Sequence, residues 1–546
     1  MTLPRALHIS PEGALLAVIL LGASLTPSLV PRSPELQGAL GGAVGALGYG
    51  AWRAVQWLWL WLELPVAAPR IRRVLRGGLM LLALVVFPVL VWQAAIWQEA
   101  IRALWQAPPA GNSAPLRVAG IAIAVFATLI LLGRLFVWLL RKASARSARF
   151  VPRRVANLLG FFFAVAVFAT LFNGVLFKGV LRLVDVSSRA ADALVAPELA
   201  PPDGPERTGS AASLVAWEDL GYWGRRFVAS APTADEIAAF WDAPARDPVR
   251  VYVGLTAAGD ARDRARLAFE ELKRAGGFER EILVIAVPTG SGWLDPGSQD
   301  SLEFMHRGDV ATVAVQYSYL SSWVSVLVDP SHGLDEAQAL FDLVYGHWIT
   351  LPRDARPRLY LHGLSLGAFL SQSTVPLLDV LGDPFEGAMW AGSPFLSEFW
   401  RFVVQRREAD SPAWRPRFGN DSLIRAGNQQ GGLTEGRAAW GPIRLVFLQY
   451  ASDPIVFFDT SLAFRRPDWL GDGRGPDVSP DMRWFPVITM LQVGLDMAVS
   501  LGVPGYGHDY VAEHYIPAWA ETTDPEGWTA DRQQALQVLF RDRPSR

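Results

Sequence analysis

The stretch from Arg358 to Leu370 reads RLYLHGLSLGAFL and places Ser365 between Gly363 and Gly367, where one sequence pattern gives way to another. Arg358 to Leu361 are typical of a short buried strand, and from Ala368 onward apolar residues recur at helical spacing. Glycines on both sides of a serine allow a sharp strand-to-helix turn that holds the hydroxyl over the edge of a sheet. The stretch therefore predicts a nucleophilic serine. The alternative is a chance match, in a chain with 49 glycines.

Strand and helix patterns alternate on both sides of this elbow. Strand patterns occur at 250–255, 282–288, 310–317, 387–395 and 443–450, and helical patterns at 260–276 and 334–349. Strands separated by helices predict a mostly parallel sheet with helices on both faces, which binds ligands at the carboxyl ends of its strands. Ser365, Thr289 and Asp453 all follow predicted strands and should lie at that edge.

A serine nucleophile needs a base, and the chain offers seven histidines. His362 is too close to Ser365 along the strand to reach it, and His8 belongs to the apolar N-terminal part. In sheets of this kind the chain order is Ser, then Asp or Glu, then His, which leaves His508 and His514. His508 is preferred because PGYGHDY marks a loop ahead of a helix, whereas His514 falls within the helical pattern.

The third member of a triad should be a carboxylate that follows a strand between the serine and the histidine. Asp453 in LQYASDPIV has this position, and the proline after it ends regular structure. Its carboxylate would accept the imidazole N–H and stabilise the imidazolium that forms during attack. Asp459 and Asp421 are the alternatives.

The oxyanion formed by attack on a carbonyl requires backbone N–H donors. One donor is expected from Leu366, the residue after the nucleophile, and another from the loop PTGSGW at 288–293. In that loop Thr289 is the first candidate donor, with Gly290 beside it. A phosphate-binding loop is the alternative for PTGSGW, but the Lys and the GxxxxGK[ST] spacing are missing.

Composition divides the chain into two parts. The 546 residues are 51% hydrophobic, and residues 1–185 hold 18 Lys and Arg against 5 Asp and Glu, a net charge of +13. The remainder holds 32 Lys and Arg against 47 Asp and Glu, a net charge of −15. This negative charge argues against nucleic acid as a partner of the C-terminal part. Cysteine is absent, so disulfides, thiolate nucleophiles and Cys-ligated zinc are excluded.

The N-terminal third predicts a membrane domain. Five apolar stretches have about the 20 residues needed to cross a bilayer: 13–31, 38–64, 77–98, 116–140 and 155–177. Basic residues cluster between the second and third stretches and between the fourth and fifth, so both loops should be cytoplasmic. The residues after the fifth stretch are then extracytoplasmic. The first stretch could instead be a signal peptide.

Three segments follow from these patterns. Residues 1–185 are predicted as a transmembrane helical domain, 186–248 as a linker and packing segment, and 249–546 as the catalytic domain. The linker is rich in Ala, Pro and Gly, and the aromatic stretch at its end should pack on the catalytic domain or rest at the bilayer surface.

The chain resembles the α/β-hydrolase fold over about 250–540, and over nearly its full length it is similar to a bacterial family of α/β-hydrolases with an N-terminal multi-span membrane domain. The matching stretches are SLTPSLVPR (24–32), SLVAWEDLG (213–221), RVYVGL (250–255), VPTGSGWLDP (287–296), HGLSLGAF (362–369) and YGHDY (506–510). The resemblance implies a hydrolase of unspecified substrate. One departure from the fold is that no clear strand precedes His508, since 487–500 looks helical and could line an acyl pocket or act as a lid.

Together these features predict a membrane-anchored serine hydrolase of the cell membrane, whose extracytoplasmic catalytic domain cleaves carboxylic esters of lipids or lipid-like molecules. The expected partners are an ester substrate and the bilayer. No cofactor or metal is expected, because triad chemistry requires neither and the histidines lack ligand spacing. The alternatives are an acyltransferase acting on envelope lipids, and a non-catalytic membrane scaffold or transport protein with a hydrolase-fold binding domain.

Overall fold

The computed structural model describes residues 9–65, 68–170, 192, 199–320, 325, 331–375, 380–471 and 473–542. The chain forms two compact units. The helical unit comprises 1–182, 459–470 and 477–499, and the sheet unit comprises 183–458, 471–476 and 500–546. Part of the chain between Asp453 and His508 therefore belongs to the helical unit.

Helices and strands alternate through the second half of the chain, as the sequence predicts. The helices are α1 (Pro11–Ser24), α2 (Pro34–Trp61), α3 (Pro69–Leu104), α4 (Ala114–Ser147), α5 (Arg153–Ala169), α6 (Gly221–Ala229), α7 (Ala234–Trp241), α8 (Ala261–Arg274), α9 (Pro296–Met305), α10 (Leu334–Trp348), α11 (Leu366–Ser373), α12 (Glu398–Gln405), α13 (Pro454–Phe457), α14 (Ile488–Met497), α15 (Ala512–Thr523) and α16 (Ala530–Asp542). The strands are β1 (Val249–Val253), β2 (Ile282–Val287), β3 (Val310–Val315), β4 (Arg358–Leu364), β5 (Gly387–Ala391), β6 (Ile424–Gly427) and β7 (Arg444–Leu448).

The seven strands form one sheet in the order β1-β3-β2-β4-β5-β7-β6, and every neighbouring pair is parallel. Most strand residues are fully buried, as expected for a parallel sheet covered on both faces. The short edge strand β6, with the sequence IRAG, is the one that periodicity did not predict. The coarse prediction of an N-terminal helical region followed by a parallel α/β domain is confirmed.

The register brings the ends of the central strands to one level. Val287 pairs with Gly363, Leu364 with Ala391, and Ala391 with Leu448. The loops that follow β2, β4, β5 and β7 therefore leave the sheet side by side, which positions the site described below.

Glycines in α2 allow close helix packing in the helical unit. An added Cβ on Gly42 would lie 2.5 Å from the Ala122 carbonyl oxygen of α4, and one on Gly38 would lie 2.8 Å from that of Val118. Gly45, on another face of α2, approaches the Ala17 carbonyl of α1, where an added Cβ would lie at 3.4 Å. Small residues spaced four apart thus seat α2 between two neighbours, as they do in membrane helix pairs.

The prediction of five spans needs correction. Among the described residues, two helices combine the length and hydropathy of a membrane span, Pro69–Leu104 and Ala114–Ser147. The first predicted span forms a helix of only 14 residues that ends at Ser24, which at about 1.5 Å per residue is too short to cross a bilayer alone. The second forms a long helix whose glycine-rich half is packed against other helices, and the described part of the fifth forms the 17-residue helix α5.

The segment predicted to be helical at 487–500 is α14, and it packs in the helical unit against α1. A buried ion pair fixes it there: Arg32 Nε lies 2.7 Å from Asp496 Oδ1, and both side chains are fully buried. Asp496 Oδ2 also accepts hydrogen bonds from the Ser28 hydroxyl and the Leu29 N–H. The stretch SLTPSLVPR therefore ends α1 and binds a carboxylate that lies more than four hundred residues away in the sequence.

The aromatic stretch at the end of the predicted linker belongs to the sheet unit. It forms a 3-10 turn at Trp217–Leu220 followed by α6, which packs on β1. Gly224 allows this approach, because an added Cβ would lie 2.4 Å from the Tyr252 ring. Of the two positions that the sequence left open, packing on the sheet is the one observed.

Candidate active site

Ser365 lies on a strained turn between β4 and α11. Its φ of 57° and ψ of −128° fall outside the regions that a serine ordinarily adopts. The flanking glycines are required sterically: an added Cβ on Gly363 would lie 2.4 Å from the Gly367 carbonyl carbon, and one on Gly367 would lie 2.2 Å from the Val287 carbonyl oxygen. The predicted strand-to-helix turn is confirmed.

The Ser365 hydroxyl is not used to cap the helix that it precedes. Serine at this position usually accepts a hydrogen bond from a first-turn N–H, yet no such bond forms at α11. The Ser365 backbone N–H instead donates to the Ala391 carbonyl at the end of β5, at 3.0 Å. The turn is thus anchored through its backbone, and the side chain is left for other chemistry.

Asp453 and His508 form a buried pair at the same edge of the sheet. His508 Nδ1 lies 2.7 Å from Asp453 Oδ2. Because an ionised carboxylate can only accept hydrogen bonds, Nδ1 carries the proton, and the neutral imidazole has its lone pair on Nε2. That Nε2 atom is buried and has no hydrogen-bond partner among the described residues.

The Asp453 carboxylate is held by two further donors. The Ile455 N–H donates to Oδ1 at 2.9 Å, and the Tyr510 hydroxyl donates to Oδ2 at 3.0 Å. Asp453 caps the short helix α13 in this way, and its side chain is fully buried. A buried carboxylate with this many donors has a fixed orientation, which it imposes on the imidazole.

Gly392 brings the imidazole to the elbow. It follows Ala391, whose carbonyl accepts the Ser365 N–H, and its φ is +54°. An added Cβ on Gly392 would lie 2.6 Å from His508 Cε1. The imidazole edge therefore rests on the residue next to the one that anchors Ser365. The serine–histidine hydrogen bond itself is not formed, a common situation before substrate binds.

The other candidates from the sequence have other partners. Tyr450 Oη lies 2.5 Å from His514 Nδ1, and burial lowers the pKa of His514 to about 4. Asp421 pairs with Arg437 at 3.3 Å, and Asp459 caps a short turn through the Ser461 N–H. Neither carboxylate contacts His508, so among the described residues Asp453 is the partner of His508.

His362, next to the elbow, is a structural residue. Its Nε2 atom lies 3.0 Å from the Ser298 hydroxyl and its Nδ1 atom 2.8 Å from the Met389 carbonyl oxygen. Complete burial lowers the pKa of His362 to about 4, so the ring is neutral at physiological pH.

The loop 288–293 begins beside the elbow, since β2 and β4 are neighbours. Three side chains hold its carbonyl groups: the Tyr317 hydroxyl donates to Pro288 at 3.2 Å, the Tyr252 hydroxyl to Gly292 at 2.7 Å, and Gln316 Nε2 to Ser291 at 3.3 Å. Burial raises the pKa of both tyrosines, which keeps their hydroxyls as donors. These hydrogen bonds hold the loop in a fixed conformation next to Ser365.

The prediction for Thr289 is not supported by this geometry. Its backbone N–H donates to the Trp293 carbonyl at 2.9 Å, which closes the loop and takes the N–H away from any oxyanion. The Leu366 N–H lies in the first turn of α11, where N–H groups have no intrahelical acceptor. The roles of Leu366 and Gly290 stay predictions.

Two residues of this arrangement were missed in the sequence. Tyr510 stands two residues after His508 in YGHDY, and Gly392 directly follows the strand GAMWA. Both positions are adjacent to predicted features, but only the fold shows that one orients Asp453 and the other receives His508. No group of three or more His, Cys, Asp or Glu side chains suited to a metal ion occurs within the part of the chain that the structure describes.

Two family models match the chain. Residues 249–536 match the model described as "Alpha/beta-hydrolase family", and residues 25–232 match the model described as "Alpha/beta-hydrolase family N-terminus". No curated protein and no solved structure matches the chain. The first match spans the sheet and all three residues Ser365, Asp453 and His508.

Proposed function

The chain belongs to the alpha/beta-hydrolase family, and from this premise we propose that it is a membrane-anchored serine hydrolase that cleaves carboxylic esters through a covalent acyl-enzyme. One observation carries the proposal. A buried His508 is oriented by Asp453, keeps its second nitrogen without a partner among the described residues, and rests beside a serine on a strained turn.

The reaction follows from the atoms in place. His508 Nε2 accepts the Ser365 proton as Oγ attacks the ester carbonyl, and the oxyanion that forms accepts a hydrogen bond from the Leu366 N–H. The tetrahedral intermediate collapses and expels the alcohol, which takes the proton from the imidazolium. A water molecule then gives a proton to Nε2 and attacks the acyl-enzyme, and as the second tetrahedral intermediate collapses Ser365 Oγ takes that proton back and the acid is released. Asp453 stabilises the imidazolium in both halves of the reaction.

Membrane anchoring is supported by the surface of the long helices. In α3 the side chains of Leu81, Leu84, Val89 and Trp92 are all more than 60% exposed. In α4 Leu116 is 80% exposed. Apolar surface of this extent on two helices of spanning length is stable in lipid and unfavourable in water.

Charge gives the orientation. Arg70, Arg72, Arg73 and Arg76 lie at the start of α3, and Arg141, Lys142 and Arg146 lie at the end of α4, so both ends are cytoplasmic. We propose that α5, the 17-residue apolar helix that follows, returns the chain to the outer side of the cell membrane. An esterase placed there meets lipids and lipid-like envelope molecules, which are the proposed substrates.

The test is ester hydrolysis by the full-length chain in detergent or lipid nanodiscs. A panel of p-nitrophenyl esters of increasing acyl length is compared for the wild type and Ser365→Ala, with Ser28→Ala as a control that removes a buried serine hydroxyl in the helical unit. We expect wild-type hydrolysis that increases for longer acyl chains, and a loss of about 10⁵-fold or more in Ser365→Ala alone.

The result also separates the alternatives. Hydrolysis that is equal in the wild type and Ser365→Ala would contradict the proposal, and so would inertness toward every ester, which favours a scaffold. Transfer of the acyl group to an added alcohol in preference to water would identify an acyltransferase with the same acyl-enzyme.

A further inference from the structure

A groove lies between the end of α4 and the start of α5, within the helical unit. Its volume is about 660 Å³, and its apolar walls are formed by Trp138, Leu139, Phe150, Leu159 and Phe163. Phe150, in the turn between the two helices, is 87% exposed. A volume of this size is typical of sites for small molecules, and an apolar surface left open at a helix end requires an explanation.

The two helices hold the groove in a fixed shape. An added Cβ on Gly160 would lie 2.8 Å from the Leu140 carbonyl oxygen, so α5 is in backbone contact with α4. The Ser144 hydroxyl donates to Asn157 Oδ1 at 2.5 Å, and Ala156 and Ala164 are completely buried. The groove is therefore a permanent feature of a close-packed hairpin.

The charge of the groove has one sign. Lys142 and Arg146 line it, and none of its lining residues is acidic. Among the described residues neither cation forms an ion pair, although Lys142 Nζ lies 4.8 Å from the centre of the Trp138 ring. No Asp or Glu occurs in the sequence from Ala100 to Val184, so neighbouring residues of α4 and α5 offer no carboxylate either.

Cations at the C-terminal end of a helix have a simpler explanation, since they interact favourably with the helix dipole and with the cytoplasmic side of a membrane. The attraction to the membrane side applies equally to Arg72 and Arg73 at the start of α3, which are exposed and lie outside the groove. Lys142 and Arg146 differ from Arg72 and Arg73 because they lie beside the apolar groove. A ligand that suits both features has a negative head and an apolar chain.

We propose that the α4–α5 groove binds an anionic phospholipid. Its phosphate lies between Lys142 and Arg146, and one acyl chain lies along Leu139, Leu159 and Phe163. The site does not depend on the proposed esterase activity. This binding site would make the basic end of the helical unit prefer anionic lipids to neutral ones.

The test measures binding of a fluorescent phosphatidylglycerol to the full-length chain in nonionic detergent, with phosphatidylcholine of the same acyl chains as the comparison. We expect tighter binding of phosphatidylglycerol. Lys142→Ala with Arg146→Ala should weaken it about thirtyfold, because each basic residue near an anionic lipid surface contributes about fivefold. The charge-preserving pair Lys142→Arg and Arg146→Lys should bind as the wild type does, which excludes misfolding as the cause.

Two further variants separate a built site from general attraction. Arg72→Ala with Arg73→Ala removes the same charge outside the groove and should leave binding within about twofold of wild type. Ala143→Phe fills the groove without changing its charge and should abolish binding.

The proposal is overturned if both lipids bind equally, if the Arg72 and Arg73 pair causes the same loss as the groove pair, or if Ala143→Phe binds normally. Competition by excess glycerol phosphate would also overturn it, because a head group alone would then suffice.

Discussion

The sheet unit and the helical unit each contain a fully buried aspartate with a basic partner at 2.7 Å, Asp453 with His508 and Asp496 with Arg32. Each carboxylate also accepts a backbone N–H and a hydroxyl group. The two clusters differ in what remains available. Arg32 is permanently charged and its Nε proton is directed at Asp496, whereas His508 keeps a lone pair on Nε2 without a partner among the described residues.

The serines differ in the same way. The Ser28 hydroxyl donates directly to Asp496, while the Ser365 hydroxyl makes no cap bond and its turn is anchored by its backbone. Similar residue types therefore connect distant chain segments in one unit and form the proposed base and nucleophile in the other. A nucleophilic serine requires a neutral nitrogen that can accept its proton, and of the two clusters the one with His508 contains such a group.

The comparison is tested most strongly by the same substitution in both clusters. Asp453→Asn should lower kcat by about 10⁴-fold with little change in KM, because the amide favours the wrong imidazole tautomer. Asp496→Asn should leave kcat unchanged and lower the free energy of unfolding by about 3–5 kcal/mol, because Arg32 then remains buried without its counter-charge. Ester kinetics and denaturant unfolding measure the two effects. Equal losses of kcat in both variants would contradict the distinction.

Gly392 tests whether the position of His508 matters as much as its partner. Gly392→Ala should lower kcat about 100-fold, because its Cβ would displace the imidazole from the elbow. Gly346→Ala, in α10 with open space around the added methyl group, is the control and should not change the rate. An active Gly392→Ala enzyme would show that the histidine does not work from the observed position.

Much of this site could be predicted from the sequence because it follows from local patterns and topology. The elbow is encoded in the seven residues of β4, which include Gly363, and in Gly367, and parallel strands bring Asp453 to the same edge. Thr289 shows the limit of that reasoning. Whether its N–H closes the loop onto Trp293 or points at substrate depends on backbone angles that the letters PTGSGW do not specify.

Lowering the pH should change the stability of the two units differently, because the described histidines all lie in the sheet unit. Burial lowers the pKa of His514 to about 4, below the value near 6.5 of an unfolded chain, so the folded state disfavours protonation. The neutral His514 side chain makes its full contribution to the free energy of unfolding above about pH 6.5. This contribution decreases as the pH falls toward 4, by about 3 kcal/mol in total.

His514→Gln isolates this contribution. Burial raises the pKa of Asp295 and of Glu303 to about 7, which acts in the opposite direction, so the quantity to measure is the difference between wild type and variant. Hydrogen exchange at pH 7 and pH 5 should give a smaller acid-induced loss of protection in sheet-unit peptides of the variant. An unchanged loss, or the same change in peptides from α1 to α5, would contradict the prediction.

The smallest effect is expected at Tyr510. Tyr510→Phe removes one of the donors to Asp453 and should lower kcat about fivefold, the equivalent of roughly 1 kcal/mol for one hydrogen bond. The residual activity distinguishes a positioning residue from a catalytic one, and a loss as large as that of Asp453→Asn would show that Tyr510 does more than orient the carboxylate.

The helical unit was the harder part to predict. Hydropathy indicates apolar helices but not which of them pack on one another, so α1 and α2 were expected to be spans, whereas the role of 487–500 as a lid or pocket wall stays a prediction. The pairing of Arg32 with Asp496 links residues at opposite ends of the chain. No local pattern encodes such a contact, and a charged residue after an apolar stretch is equally typical of a membrane boundary.

The central claim is that Ser365 is a nucleophile activated by His508. The most direct test is reaction of the full-length chain with a fluorophosphonate probe, followed by mass spectrometry of its peptides. The account predicts a single adduct on Ser365, absent from Ser365→Ala and strongly slowed in His508→Ala. Labelling that persists in Ser365→Ala, or an adduct on another serine of the wild type, would contradict it.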